Sequence, residues 1–556
     1  MVTNIFFRFI LIAFLTLPII NNSFASTSPG PQVGDYLVAK VSIDSNDYNV
    51  TKRYYQRILR KNPNNLLSLD RLLLLSILDG DIQSAKNYSF KLARVGCDQK
   101  RNACCMNNQS PQGHLINGIS YINSYEFNFA DQSFASIWQG DISDSTFIRL
   151  LRAWVWADKK NIEKSMALID LISSNEHHHF ALLHKALIYD FIDDIELAEI
   201  FYDLYLSQRN DLYVVGLYLN FLERNDLLEK KEYVIDNYLN EYDNTFKGSF
   251  LISDENRVIQ NQLQGIGVVL FNSSALIKDI NSELSHMLYQ LALETSPNLH
   301  EIKYLFSNFL INLGDLKKAQ GILRMIPKKH YLGEYAAIQI SDLYSQLDEE
   351  EKAIKNLVNY NKFNQTFDSL IALGNFYRYE KNWTQALDSY ESSLDIALAQ
   401  DNQNIWEVFF NIGIVHERTD NWSEAETNFN TALSIYEDQP DVLNYLGYSY
   451  LDKDLDLKLA KELIEKAMSL KPNDPYIIDS MAWYYFKVGR YEEALSLLDY
   501  AIDMMPYDST INDHYADALW KIGHKLQARY HWERAIELDT EGELKDQIKE
   551  KLLIGI

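Results

Sequence analysis

From residue 367 onward, apolar residues recur three and four positions apart, in paired runs separated by a short polar turn. In the stretch IIDSMAWYYFKVGRYEEALSLLDYAIDMMPYD, one run covers 477–488 and a second covers 491–504, with Gly489-Arg490 between them and Pro506 after them. A 3.6-residue period of this kind predicts amphipathic helices, and so short a turn predicts an antiparallel pair. The pair repeats. Ala460, Ala494 and Ala528 are 34 residues apart, as are Ala467, Ala501 and Ala535. The same interval separates Gly489 from Gly523, Ala482 from Ala516, and Pro472 from Pro506. Five registers sharing one period predict a stack of identical hairpins, each too small to bury its own apolar face.

The register extends backwards. Gly447 goes with Ala460 and Ala467; Gly413 with Ala425, Phe429 and Ala432; Gly374 with Tyr377, Ala386 and Tyr390. Weaker units sit at Ser341, Tyr344 and Ala353, at Ser307, Gly314 and Ala319, and at Ser273 and Ala292 with Pro297. Towards the N-terminus, Gly118, Tyr121, Ala130 and Phe134 match, as do Ala153 with Trp156, Ala186 with Tyr189 and Ala198, and Gly80 with Ala85.

A small residue in the first helix, an aromatic three later, Gly at the turn, then two alanines seven apart and a Pro resemble the tetratricopeptide repeat. In one unit these are Ala482, Tyr485, Gly489, Ala494, Ala501 and Pro506. The resemblance implies an all-α solenoid, a right-handed superhelix of about ten to twelve helix-turn-helix repeats whose first helices line a concave groove. The physics agrees: small residues let helices approach closely, and Gly takes the positive φ at a helix end.

The expected organisation is a signal peptide over 1–25, a flexible lead-in over 26–47, degenerate repeats over 48–238, a joint over 239–265, a regular array over 266–540 and a capping helix over 541–556. The signal rests on Arg8, the apolar run Phe9 to Ile20, and Ser23-Phe24-Ala25 before Ser26. Small residues at −1 and −3 read as a cleavage site, with retention as an anchor the alternative. The expected location is therefore outside the cytoplasm, periplasmic or extracellular in a bacterium, with no stable membrane span after cleavage.

Composition narrows the function. The formal net charge of −25 repels a polyanion, which excludes nucleic acid as the expected partner. Loss of Arg8 with the signal makes the mature chain −26. Cys97, Cys104 and Cys105 are the only cysteines and sit in one polar segment. In an oxidising compartment Cys97 pairs with Cys104 or Cys105, leaving one thiol over, or the segment has no chemical role. The sequence lacks HExxH, GxSxG and phosphate-loop motifs. His177-His178-His179 cannot converge on one ion from a regular helix. No enzyme activity, cofactor or metal is expected.

In related repeat proteins, groove residues come from the first helix, away from the small packing residue. By that analogy the candidates are Asn375, Arg378, Asn411, Asn444, Tyr448, Asp479, Trp483, Asp513 and Trp520. Asparagine amides there can hold a peptide backbone, and tryptophans can act as apolar anchors. The expected function is an exported, non-catalytic scaffold binding a protein or peptide segment, basic by charge complementarity, in envelope assembly. The alternative is a glycan- or peptidoglycan-directed accessory protein using the Trp, Asp and Asn side chains as sugar platforms. Partner identity, pathway and oligomeric state are not legible.

Overall fold

A computed structural model describes residues 32–44, 48–95, 109–137, 145–172, 177–239, 257–399, 405–540, 542 and 544–556. The signal segment 1–25 and all three cysteines lie outside the described residues. Every regular element among the described residues is a helix.

The helices come in hairpins. They are α1 Gln32–Asp44 with α2 Tyr48–Lys61, α3 Leu66–Leu78 with α4 Ile82–Arg94, and α5 Pro111–Asn123 with α6 Phe127–Ala135. Next come α7 Thr146–Val155 with α8 Ile162–Asp170, α9 His178–Phe191 with α10 Ile195–Leu206, and α11 Leu212–Arg224 with α12 Leu228–Tyr238. Then α13 Gln262–Ile277 pairs with α14 Ser282–Thr295, α15 His300–Asn312 with α16 Leu316–Leu323, and α17 is Gly333–Ser345. Later come α18 Glu350–Asn361, α19 Phe367–Tyr379 with α20 Trp383–Ala399, and α21 Ile405–Arg418 with α22 Trp422–Ile435. The last are α23 Pro440–Asp452 with α24 Leu457–Leu470, α25 Pro475–Lys487 with α26 Tyr491–Met504, α27 Ser509–Lys521 with α28 Lys525–Leu538, and α29 Lys545–Ile554. Two compact units result, 1–347 and 348–556.

Two devices fix each hairpin. The small residue of the first helix faces a large side chain of the second. A Cβ added at Gly118 would lie 2.3 Å from the Phe134 ring, one at Gly374 2.5 Å from Tyr390, and one at Gly413 2.6 Å from Phe429. Seven residues after the small residue, the turn takes a left-handed conformation. After Gly118, Ala186, Ser307, Ser341, Gly374, Gly413, Gly447, Ala482 and Ala516 the positive-φ residues are Tyr125, Asp193, Gly314, Asp348, Lys381, Asp420, Asp454, Gly489 and Gly523. Glycine was the expected residue there. Aspartate does the same work in four of these turns, because its short polar side chain tolerates the left-handed region.

Two sequence expectations change. Residues 32–44 of the expected flexible lead-in form α1. Its Ala39 is buried with Tyr55, Ile58, Leu72 and Leu75, and its Asp35 pairs with Lys61 at 3.1 Å. Tyr36 and Ala39 are the apolar positions that dock it, while Leu37, Val38 and Val41 stay exposed. Of the stretch 239–265, read as a joint, residues 240–256 lie outside the described residues, while 262–265 open α13, which packs back against α5, α7 and α9.

Candidate functional site

The groove-facing positions can be read from the register: three residues before the small residue and one after it. In the first unit these are Leu115 and Ile119 on α5, Leu150 and Trp154 on α7, and Leu183 and Leu187 on α9. All six are apolar and buried. What covers them is α13, which packs against α5, α7 and α9. Its sequence QLQGIGVVLFNSSALI is apolar around most of its circumference, the signature of a helix enclosed on all sides. Residues 264–272 are buried without a break.

Close approach is what the glycines of α13 supply. A Cβ at Gly265 would lie 2.2 Å from Trp154, and one at Gly267 2.3 Å from Ser296 Oγ. Trp154 Nε1 donates to His184 Nδ1 at 2.9 Å, and Tyr213 of α11 donates to Asn272 at 2.8 Å. Lys318 of α16 closes the unit by donating to the Leu78 carbonyl at the end of α3 (2.6 Å). Burial holds His184 and His286 down at about 3, so both are neutral. The first groove is thus occupied by the chain itself.

The second unit differs. The same two positions carry Ile371 and Asn375 on α19, Phe410 and Ile414 on α21, Asn444 and Tyr448 on α23, Asp479 and Trp483 on α25, and Asp513 and Asp517 on α27. Asn375, Arg378, Asn444, Tyr448, Trp483 and Trp520 keep partial exposure. Three of their polar atoms are enclosed without a hydrogen-bond partner: Arg378 Nε, Asn444 Oδ1 and Trp483 Nε1. Unmade bonds of this kind are costly, and they are the groups a ligand can satisfy.

The other expected groove residues are engaged within the array. Asn375 accepts from Tyr390 Oη at 2.7 Å. Asn411 stands two residues before Gly413 rather than three. It is buried and donates to the Glu407 carbonyl of its own helix at 3.0 Å, so Phe410 holds the groove-facing place. Both faces of the Trp483 ring are covered: His514 stacks at 4.1 Å and 11°, Phe486 at 4.7 Å and 5°. Only its edge, with Nε1–H, is available. Trp520 lies against Trp532 at 5.1 Å, and a Cβ at Gly555 would lie 2.3 Å from it.

Sequence reading missed the charged core beneath this face. Asp479 and His514 are both buried, with His514 Nδ1 2.9 Å from Asp479 Oδ2. Burial alone would depress His514. The Asp479 carboxylate, supported by Asp513 and Asp517, outweighs it and raises the imidazole above its usual value. One hairpin further on, Lys551 of α29 donates to Asp513 at 2.7 Å and to Asp517 at 2.8 Å, and Trp532 Nε1 donates to Asp517 at 2.8 Å. Burial and the neighbouring Asp513 push Asp517 up to about 6. Burial first, then the Asp479 carboxylate, keeps the Tyr448 phenol protonated well above its ordinary range. The signal for His514 and Lys551 was their place one helix beyond an acidic groove position.

Among the described residues, no group of three or more His, Cys, Asp or Glu side chains could hold a metal ion, and no helix is long and apolar enough to cross a membrane.

A tetratricopeptide repeat family model matches residues 365–438. A TPR repeat-containing protein of Pseudomonas aeruginosa is 28% identical over 138 residues, 24% of this chain and 21% of that one. The TPR repeat-containing protein YpiA of Bacillus subtilis is 24% identical over 296 residues, 52% of this chain and 64% of that one. The chain therefore spans less than two thirds of either relative's length. Among solved structures, the APC/C hetero-tetramer Cut9–Hcn1 is similar at 15% identity and a TM-score of 0.39, covering 94% of this chain and 97% of that one. The 34-residue period, the small-to-large packing inside the hairpins and the turn seven residues on are the pattern of tetratricopeptide repeats, which the family model finds over residues 365–438.

Proposed function

We propose that the chain is an exported, non-catalytic scaffold that binds a protein or peptide segment on the first-helix face of its second unit, in the assembly or upkeep of a cell envelope. Repeats of this superfamily generally serve as protein-interaction scaffolds. The observation that carries the choice of face is the contrast in occupancy. In the first unit Leu115, Ile119, Leu150, Trp154, Leu183 and Leu187 are apolar, buried and covered by α13, whereas in the second Asn375, Asn444, Tyr448 and Trp483 keep partial exposure at the same positions. A peptide backbone offers both a donor for Asn444 Oδ1 and an acceptor for Trp483 Nε1. The overall charge favours a basic segment. The glycan reading loses ground, because the Trp483 ring faces a sugar would stack on are already taken.

The test is a photoreactive amino acid at Tyr448, incorporated in the native cell envelope. A discrete intermolecular adduct is expected. The same probe at Leu187 should give only an intrachain product with α13. Intrachain products at both positions would remove the second-unit face from consideration. Export is tested by sequencing the mature N-terminus, expected at Ser26; a cytosolic protein beginning at Met1 would refute it.

A further inference from the structure

Helix α29 docks with a lysine turned inward beside Ile548. Of its ten residues, only Ile548 and Lys551 are buried. Leu553 and Ile554 point outward, 84% and 78% exposed. A helix added to the end of a solenoid ordinarily buries its leucines and isoleucines and turns its lysines to water. Here a lysine is inside and two large apolar residues are outside.

Lys551 does not sit in a neutral site. Its ammonium is shared between Asp513 (2.8 and 2.7 Å) and Asp517 (2.8 Å), the two groove-facing positions of α27. All three residues are buried. The pair is built to hold a cation, since Trp532 Nε1 donates to one Asp517 oxygen and leaves the other for the ammonium. Lys551 takes the role that His514 plays one hairpin earlier, where it bridges back to Asp479. There, however, the contact is reinforced by the Trp483 stack and by the apolar cluster of Ile478, Ala501 and Ile511. Behind Lys551 the apolar support is Ile548, with Leu544 and Leu552 partly buried. The docking of α29 therefore rests on the Lys551 ion pairs together with Ile548, Leu544 and Leu552. A buried ion pair contributes little net stability while intact, and its loss is costly, which suits a latch better than a permanent seam.

We propose that α29 is a releasable latch. Lys551 occupies an ammonium-binding site formed by Asp513 and Asp517, and a lysine-bearing amphipathic helix of a partner takes its place when α29 swings away. This rests on the reading that first-helix positions of the second unit form the binding face, but its test uses no partner of that face, so the two can fail separately.

The test is amide hydrogen exchange on the full chain, with the synthetic peptide LKDQIKEKLLIGI, residues 544–556, as the probe. In the wild-type chain α29 should exchange by local opening, ahead of α25 to α28. Lys551→Met should speed exchange in α29 by about a hundredfold or more while α25 and α26 keep their protection. The added peptide should then bind the Lys551→Met chain and protect α27 around Asp513 and Asp517. The same peptide with Met in place of Lys551 alone should not. Ile548→Ala provides a second opened chain in which the acidic pair is intact, and the lysine peptide should bind there too. Exchange of α28 and α29 as one unit in every variant would overturn the proposal, as would a peptide that fails to bind or binds equally without Lys551.

Discussion

The two units place the same hairpin in opposite situations. At the groove positions the first unit has Leu115, Ile119, Leu150, Trp154, Leu183 and Leu187, and a helix from its own chain lies on them. The second unit has Asn444, Tyr448, Asp479, Trp483, Asp513 and Asp517, and presents them, in part, unpartnered. Nothing in the hairpin itself distinguishes the two; the small-to-large contact and the left-handed turn occur in both. What differs is two side chains per first helix. Apolar residues there let α13 pack as part of a core, whereas Asn444, Tyr448 and Trp483 keep partial exposure and the aspartates are buried only with a cationic partner.

The comparison breaks most sharply at Gly265. A leucine there has no space beside Trp154, and the cost should exceed the roughly 1–3 kcal/mol typical of overpacking, because α13 bears on three hairpins at once. Gly265→Leu is expected to unfold the first unit in a thermal melt while leaving the transition of the second. By contrast, Ala494→Leu touches only neighbouring helices. It should cost about 1–3 kcal/mol and loosen the C-terminal hairpins first, as read by hydrogen exchange.

Acid should push the two units in opposite directions. In the first, burial holds His114 at about 4 and His184, His286 and His330 at about 3. Their folded values lie below the unfolded one, so their contribution is complete above about 6.5 and is lost as the pH falls towards the folded values. Together they should cost the first unit several kcal/mol between pH 7 and pH 4, since each tenfold loss of proton affinity on folding is worth about 1.4 kcal/mol. In the second unit His514 is raised, so its contribution is complete below about 6.5 and is lost as the pH climbs through its folded value. His531, depressed chiefly by burial, opposes this in part. Hydrogen exchange at pH 5 and pH 8 should show the first unit weakening in acid and α25 to α27 tightening. Parallel behaviour would refute the opposition.

A smaller effect is expected at Trp483. Because its ring bridges α25 and α27, Trp483→Ala should lower the melting transition of the second unit by about 2 kcal/mol as well as weakening partner capture. Lost capture with an unchanged melt would return the ring to the role of an open anchor. The smallest change in stability belongs to Asn444→Ala, under about 0.5 kcal/mol, since its Oδ1 has no partner to lose. Crosslinking from Tyr448 should nevertheless fall.

Much of this was legible in the sequence, for a physical reason. Packing inside a hairpin depends on residues within one repeat, so Gly374, Gly413, Ala482 and Ala516 announced their hairpins directly. The turns were half legible: Gly489 and Gly523 stood out, while Asp193, Asp348, Asp420 and Asp454 hid the same conformation behind an ordinary surface residue. The occupied first groove was not read, because its cause lies in contacts between α13 and helices a hundred residues earlier, which no local period reports. Asn411 was placed in the groove from its residue type, but its offset from Gly413 puts it on the adjoining face. That the faces of the Trp483 ring would be covered depended on His514, a hairpin away.

The constancy of the left-handed turn also says where this chain has room to grow. From α9 onward, the two helices of every hairpin are joined by three or four residues, and none of these joints is longer. The long connections, after Arg94, Ala135, Tyr238 and Leu323, all follow a second helix and lead into the next first helix. A stretch inserted inside a hairpin would shift the small residue out of step with its turn, whereas one inserted between hairpins leaves both in place. Length in this chain is therefore a property of the junctions alone. A tag or a foreign loop placed after Arg94 or Tyr238 would travel as cargo on an otherwise unaltered ruler of repeats.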